Sequence, residues 1–201
     1  MQHLVLASTS PFRRQLLERL GLPFTARPPG TDETEIATEE PLERALRLAV
    51  DKASACLSAD TVVIGSDQVA ALETRILHKP GTPERTLEQL LACQGRVVDF
   101  FTAVAVCSAA HTHTHVDHTR VFFRSLPRAS LEYYITQEQP FGCAGGFKAE
   151  GLGIALFERI ESQDPTALIG LPLIWLAHAL RSSGLDPLSP DAPPDGPGAA
   201  S

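Results

Sequence analysis

An α/β fold, with strands and helices alternating along one chain, is what the sequence predicts, and three observations predict it. Short apolar runs such as "HLVLA" and "TVVIG" read as strands buried on both faces, because aliphatic and β-branched residues follow one another without polar alternation. Between them lie segments whose apolar residues recur every three or four positions, the spacing of an amphipathic helix. The two patterns take turns to about residue 180, and no internal repeat interrupts them.

The first strand, "HLVLAS", runs through a polar Ser-Thr-Ser turn into a helix over residues 11–20. Ser10 caps it, Pro11 fits its first position, and Gly21 closes it. A second helix is predicted from about Pro41 to Leu57, with Leu42, Ala45, Leu46, Ala49, Ala53 and Cys56 on one face. "TVVIGSDQVAAL" then reads as a strand whose buried part, Val62 to Ile64, ends through Gly65 and Ser66. Thr82 and Pro83 announce a third helix that closes near Gly95. Val97–Val106 and Val116–Phe123 form a long hairpin, joined by a His- and Thr-rich segment, "HTHTH", read as a solvated loop. A short helix around Leu131–Thr136, a glycine-rich loop, a strand Ile154–Ile160 and a terminal helix Leu171–Leu180 complete the pattern.

Composition bounds what such a fold could do. At 201 residues and 43% hydrophobic content the chain suits one domain or two small lobes with a substantial core. A net charge of -7 argues against general binding to nucleic acid or acidic membranes, so any phosphate site must be local. Four separated cysteines with no CxxC pair read as reduced core thiols. With no membrane-spanning run and no signal-like start, a cytoplasmic protein is expected. From Asp186 the residues are mainly Pro, Gly, Ala, Ser and Asp, so residues 186–201 are expected to be a disordered tail beside a domain of residues 1–185.

Several residues stand where chemistry needs them. Arg13 and Arg14 lie in the first turn of a helix, where the dipole is positive and basic side chains are unwelcome without an anion. Exposed backbone N–H groups and the hydroxyls of Ser8, Thr9 and Ser10 suit a phosphate there. The alternative is a surface helix whose arginines pair with Glu18. Asp67, in "IGSDQV", is placed to act as general base or metal anchor, although an Asx-type turn explains it too. Lys52 and Lys79 flank that strand. Asp32 and Glu33, in "GTDET", either ligate a hard cation or cap the next structure. In "HTHTHVDH", same-side residues of a strand stand roughly 7 Å apart, which does not by itself make a tetrahedral metal site. Gly145, Gly146, Gly151 and Gly153 spell no dinucleotide fingerprint. They frame Phe147 and Glu150, which on a mobile loop could close over a nucleobase.

Taken together, "LVLASTSPFRRQLLERLGLPF", "TDET", "IGSDQV", "HKP", "CAGGFKAEGLGIALFERI" and "ERIESQDPTALIGLPL" resemble the Maf family of nucleotide pyrophosphatases, in particular its branch acting on 7-methyl-GTP. The resemblance runs from Leu4 to about Leu188. It implies an elongated mixed sheet flanked by helices, of the Maf and inosine-triphosphatase type, with two lobes around a central cleft. It also implies hydrolysis of a nucleoside triphosphate between the α- and β-phosphates with a divalent cation, Mg²⁺ or Mn²⁺, and a possible homodimer. The family's proton acceptor falls on Asp67, and its phosphate-binding motif on Ser8 and Arg13. Its basic residues fall on Lys52 and Lys79, and the positions tied to substrate choice on Phe12, Gln68 and Glu150. The branch commonly carries tryptophan where Phe12 stands, and the smaller ring offers a weaker face to a cationic base. Gln68, where the dTTP and UTP branch carries threonine, favours 7-methyl-GTP. The competing readings are a pyrophosphatase for dTTP, UTP or other modified nucleotides, and a nucleotide-binding regulator of cell division.

Overall fold

The apolar run His3–Ala7 forms strand β1, and the chain turns through Ser8–Ser10 into helix α1 (Pro11–Glu18) in the computed structural model, which describes residues 3–189. The Ser10 hydroxyl accepts the Arg13 N–H, and Pro11 occupies the first turn, as the sequence predicts. Strand β2 (Phe24–Arg27) was not anticipated, since four mostly exposed residues carry no apolar pattern. Helix α2 (Pro41–Ala55), the long strand β3 (Thr61–Leu72), a short strand β4 (Arg75–Leu77) and helix α3 (Pro83–Cys93) follow. Strands β5 (Val97–Cys107) and β6 (Thr112–Phe123) form the expected long hairpin, then α4 (Arg128–Glu138), β7 (Phe157–Glu161) and α5 (Leu173–Ser182) end the described chain.

These seven strands make one mixed sheet in the order β2-β1-β3-β5-β6-β7, with β4 also on β3. β1 runs parallel to β2 and β3, while the other pairs are antiparallel. One edge of β3 is paired with β5 from Val63 to Ala71. Its other edge is shared: β1 covers it up to Gly65 and β4 takes it up again at Ala70. Residues 66–69 therefore face a break in the sheet, and α1 begins beside that break.

Two separate cores lie on one face of β3. Val62 and Ile64 pack with Leu16 and Leu17 of α1 and Leu176 and Leu180 of α5, whereas Ala70 and Leu72 pack with Leu90 of α3 and Leu131 and Ile135 of α4. The opposite face carries α2, whose Ala45, Ala49 and Ala53 lie on Val63, Val69 and Ala105. Small residues let that helix come close. A Cβ on Gly65 would overlap the Ala49 carbonyl oxygen and the Ala53 amide, so this position has room only for hydrogen.

Some expectations are corrected. The buried strand does not end at Ser66; β3 continues to Leu72, because β5 supplies hydrogen-bond partners past the break, and Asp67 is mid-strand. "HTHTH" is not a loop: its residues from Thr112 onward belong to β6, and the turn is confined to residues 108–111. Alternating Thr and His suit a strand with one covered side, and His115 stacks on Trp175 of α5 at 5.2 Å. The strand expected from Ile154 starts at Phe157, since residues 152–156 form a tight 3-10 turn. Phe147 is not on a mobile loop but in the core against Phe100, Phe123 and Phe157. At the start of the expected tail, Asp186 pairs with Arg181 at 2.9 Å; residues 190–201 lie outside the described residues. No described helix is long and apolar enough to cross a membrane.

Candidate active site

The break in the sheet opens into a cavity of about 410 Å³. Because β3 lacks a neighbour at residues 66–69, side chains from both of its faces reach this space: Asp67, on the side of α2, and Gln68, on the other, both line it. Phe12, Arg13, Lys52, Lys79 and Glu150 line it as well. The sequence had singled out all seven. Ser8, the eighth, is buried beside the cavity rather than on its wall. Its hydroxyl accepts the Ser10 N–H and shapes the turn, and Ser10 takes the place on the wall.

Lys52 stands at the electrostatic centre. The close approach of α2 at Gly65 brings its Nζ to 2.7 Å from Asp67 Oδ1, and 2.7 Å from Glu33 Oε1. Hydrogen bonding to Lys52 holds the Glu33 carboxyl below its ordinary pKa. Sequence reasoning left Glu33 undecided between cap and cation ligand and did not single it out. The acid that caps is its neighbour Asp32, which accepts the Thr34 N–H at 2.9 Å. Two adjacent carboxylates in a loop carry no sign of which one points inward, so no local pattern separated them.

Arg13 and Arg14 part company. Arg14 is exposed and pairs with Glu18 at 3.2 Å, the bland outcome, while Arg13 turns inward and donates from Nε to the Gly170 carbonyl at 3.0 Å. Burial lowers the Arg13 pKa from its ordinary value and Asp67 and Glu33 pull it back up. A guanidinium remains charged under such a shift. Lys79 makes no ion pair among the described residues, so its charge is available.

A platform under these groups was missed by sequence reasoning. Residues 164–173 present three carbonyls to β3: Gly170 accepts from Arg13 and from Ser66 Oγ at 2.9 Å, and Ala167 and Leu168 accept from Gln68 Nε2 at 3.1 and 3.0 Å. Thr102 Oγ1 accepts from the same amide and donates to Ala167. Asp164 pins the platform, its carboxylate accepting the Thr166 and Ile174 N–H groups at 2.8 and 2.7 Å. The available signal was "DPT" three residues after a strand, an Asx-type turn pattern.

A cavity with a cationic rim, two carboxylates and a helix N-terminus can hold a polyphosphate and deprotonate a water beside it. The comparisons agree with that chemistry. Residues 3–183 match the family described as "Maf-like protein". The 7-methyl-GTP pyrophosphatase of Bordetella pertussis is 50% identical over 188 residues, covering 92% of this chain and 94% of its own length. Those of Vibrio cholerae and Vibrio parahaemolyticus are 48% and 47% identical, each over 91% of this chain and 96% of their own. Among solved structures, the Staphylococcus aureus Ham1 protein aligns with a TM-score of 0.44 at 15% identity, over 61% of this chain and 72% of that one, a distant likeness. Sharing about half its residues with such relatives along nearly its whole described length, the chain belongs to the Maf family.

Proposed function

We propose that this protein hydrolyses 7-methyl-GTP to 7-methyl-GMP and pyrophosphate, with Asp67 as the proton acceptor. The observation that carries the reading is Lys52 held between Asp67 and Glu33 at the mouth of the α1 phosphate site. Lys52 engages Oδ1 of Asp67, and no hydrogen bond among the described residues engages Oδ2. That oxygen takes the proton as water adds to the α-phosphorus. Arg13, Lys52, Lys79 and the N–H groups of α1 meet the negative charge that gathers on the departing pyrophosphate. Gln68, whose amide nitrogen is fixed on the platform, and Phe12 and Glu150 on the wall lie where they can read the base. The delocalised cation of a 7-methylated guanine suits both an aromatic face and a carboxylate.

A divalent cation fits the oxygen donors present. Asp67 and Glu33 are two hard carboxylate ligands in one cavity, and no set of three or more His, Cys, Asp or Glu among the described residues could hold a metal. This is the donor set expected for Mg²⁺ or Mn²⁺, which bind through one or two carboxylates and complete their shell with water and substrate phosphates. When bound, such an ion supplies positive charge to the phosphates. Four free thiols and a nucleotide substrate support a cytoplasmic setting. The homodimer that the family resemblance implies is checked by sedimentation.

The deciding experiment is a steady-state comparison of 7-methyl-GTP, GTP, UTP and dTTP with Mg²⁺ or Mn²⁺, with products resolved by charge. We expect 7-methyl-GTP to be preferred by at least about tenfold in kcat/KM, which corresponds to about 1.4 kcal/mol of discrimination. Equal rates on all four would remove the base assignment, and preference for UTP or dTTP would transfer it to the other branch.

A further inference from the structure

A second groove, of about 800 Å³, adjoins the active cavity. The two share Arg44, Ile76, His78 and Lys79 and no other wall residue. Phe12, Gln68 and Glu150, the base end in the reading above, border the first cavity alone. So do Arg13, Lys52 and Asp67, and of the groups assigned to the phosphates only Lys79 stands at the junction, so the groove meets the cavity beside that lysine and away from the base-reading residues.

Its charges are distributed for an anion. Lys79, Arg75 and Arg85 have no acidic partner within 4.0 Å among the described residues, although the chain as a whole carries a net charge of -7. The groove's acids are mostly engaged: Glu35 faces His78 at 3.1 Å and Arg44 at 3.8 Å, and Glu39 forms a two-pronged pair with Arg47. Of the groove's acids, Glu88 alone has no basic partner within 4.0 Å among the described residues, and Glu33, in the adjoining cavity, acts on Lys79. Ile36, Ile76 and Pro80 add apolar wall. A terminal phosphate would fill a small part of this space, whose volume is that of a site for a nucleoside-sized ligand.

The chemistry of the neighbouring site sets no limit at that end. In attack at the α-phosphorus, everything beyond the α–β bridge departs as one leaving group, and nothing requires it to end in a free phosphate. Resting on the function proposed above, we infer that the protein has a second substrate class: 5′,5′-dinucleoside polyphosphates, with the 7-methylguanosine end in the first cavity and the distal nucleoside in the groove. Water oxygen bonds to the α-phosphorus next to 7-methylguanosine, the bond from that phosphorus to the α–β bridging oxygen breaks, and the oxygen leaves with its electron pair on the β-phosphate. Asp67 takes the proton from water. The products are 7-methyl-GMP and the distal nucleoside diphosphate, with no oxidant or reductant involved.

The test compares 7-methyl-GTP with P1-(7-methylguanosine) P3-guanosine triphosphate on the same preparation, with Mg²⁺ or Mn²⁺ and products separated by anion exchange. We expect 7-methyl-GMP and GDP from the dinucleotide. The double variant Arg75→Ala, Arg85→Ala should lower kcat/KM for the dinucleotide by about tenfold and leave 7-methyl-GTP turnover unchanged. A dinucleotide that resists hydrolysis while 7-methyl-GTP is cleaved overturns the inference and spares the function it rests on. So does a dinucleotide cleaved equally well by the double variant, or cleaved to GMP and 7-methyl-GDP, which would place the bases the other way round. If neither compound is hydrolysed, both readings fall.

Discussion

A lysine only 6% exposed stays charged only with counter-ions at hand, and Lys52 has two at 2.7 Å. Removing one of them tests their division of labour. Asp67→Asn keeps the shape of the side chain and leaves Glu33 to neutralise Lys52, so the fold should persist while the proposed proton acceptor is lost. We expect kcat to fall by about 10²–10⁴ with KM little changed, measured by steady-state kinetics beside a thermal melt. Turnover near the parent rate would show that another group takes the proton. At this scale the sequence was legible where position along an element mattered. Arg13 and Arg14 both stand at a helix N-terminus, and that much could be read. Which of them turns inward depends on a Gly170 carbonyl 157 residues away, and no local pattern records that.

The elements are joined at places where a side chain would not fit. Gly65 lets α2 rest on β3, and the Lys52–Asp67 pair depends on that approach. Gly65→Ala should cost at least about 2 kcal/mol in chemical denaturation, since the methyl meets backbone atoms that cannot swing aside. It should also lower kcat by displacing Lys52; an unchanged urea midpoint would contradict the packing described. Periodicity identified α1, α2, α3 and the β5–β6 hairpin because their apolar faces are long enough to count. It gave no hint of β2 and β4, at four and three residues, which exist because a neighbouring strand offers an unpaired edge. The same cause carried β3 beyond Ser66 and β6 through the histidines.

For the whole molecule, acid should act first on one segment. Residues 28–40 cross from β2 to α2 and carry three carboxyls held below their ordinary pKa values: Asp32 by Thr34, Glu33 by Lys52 and Glu39 by Arg47. Each folded-state pKa lies below that of the unfolded chain, so the folded state binds fewer protons between the two values. The stability they contribute is present above the unfolded values and is lost as pH falls through the folded ones. Hydrogen exchange, corrected for intrinsic rates, should show 28–40 opening below about pH 4 while the α4 core stays protected. Simultaneous loss of protection in both would refute this order. The overall architecture, a mixed sheet with helices and a central cleft, was anticipated from the resemblance; alternation alone said α/β and did not foresee where the ladder breaks.

That break makes catalysis and cohesion draw on the same atoms. On the function proposed above, a nucleotide lodged between the end of β1 and the start of β4 would work as a missing rung, bracing the first helix against the β3–β4 pair. Product at one hundred times its Kd should then add about 2.7 kcal/mol, a rise of roughly 5–10 °C in Tm for a chain of this size, readable by differential scanning fluorimetry with 7-methyl-GMP. An enzyme braced in this way would have to give up that stiffness each time product leaves.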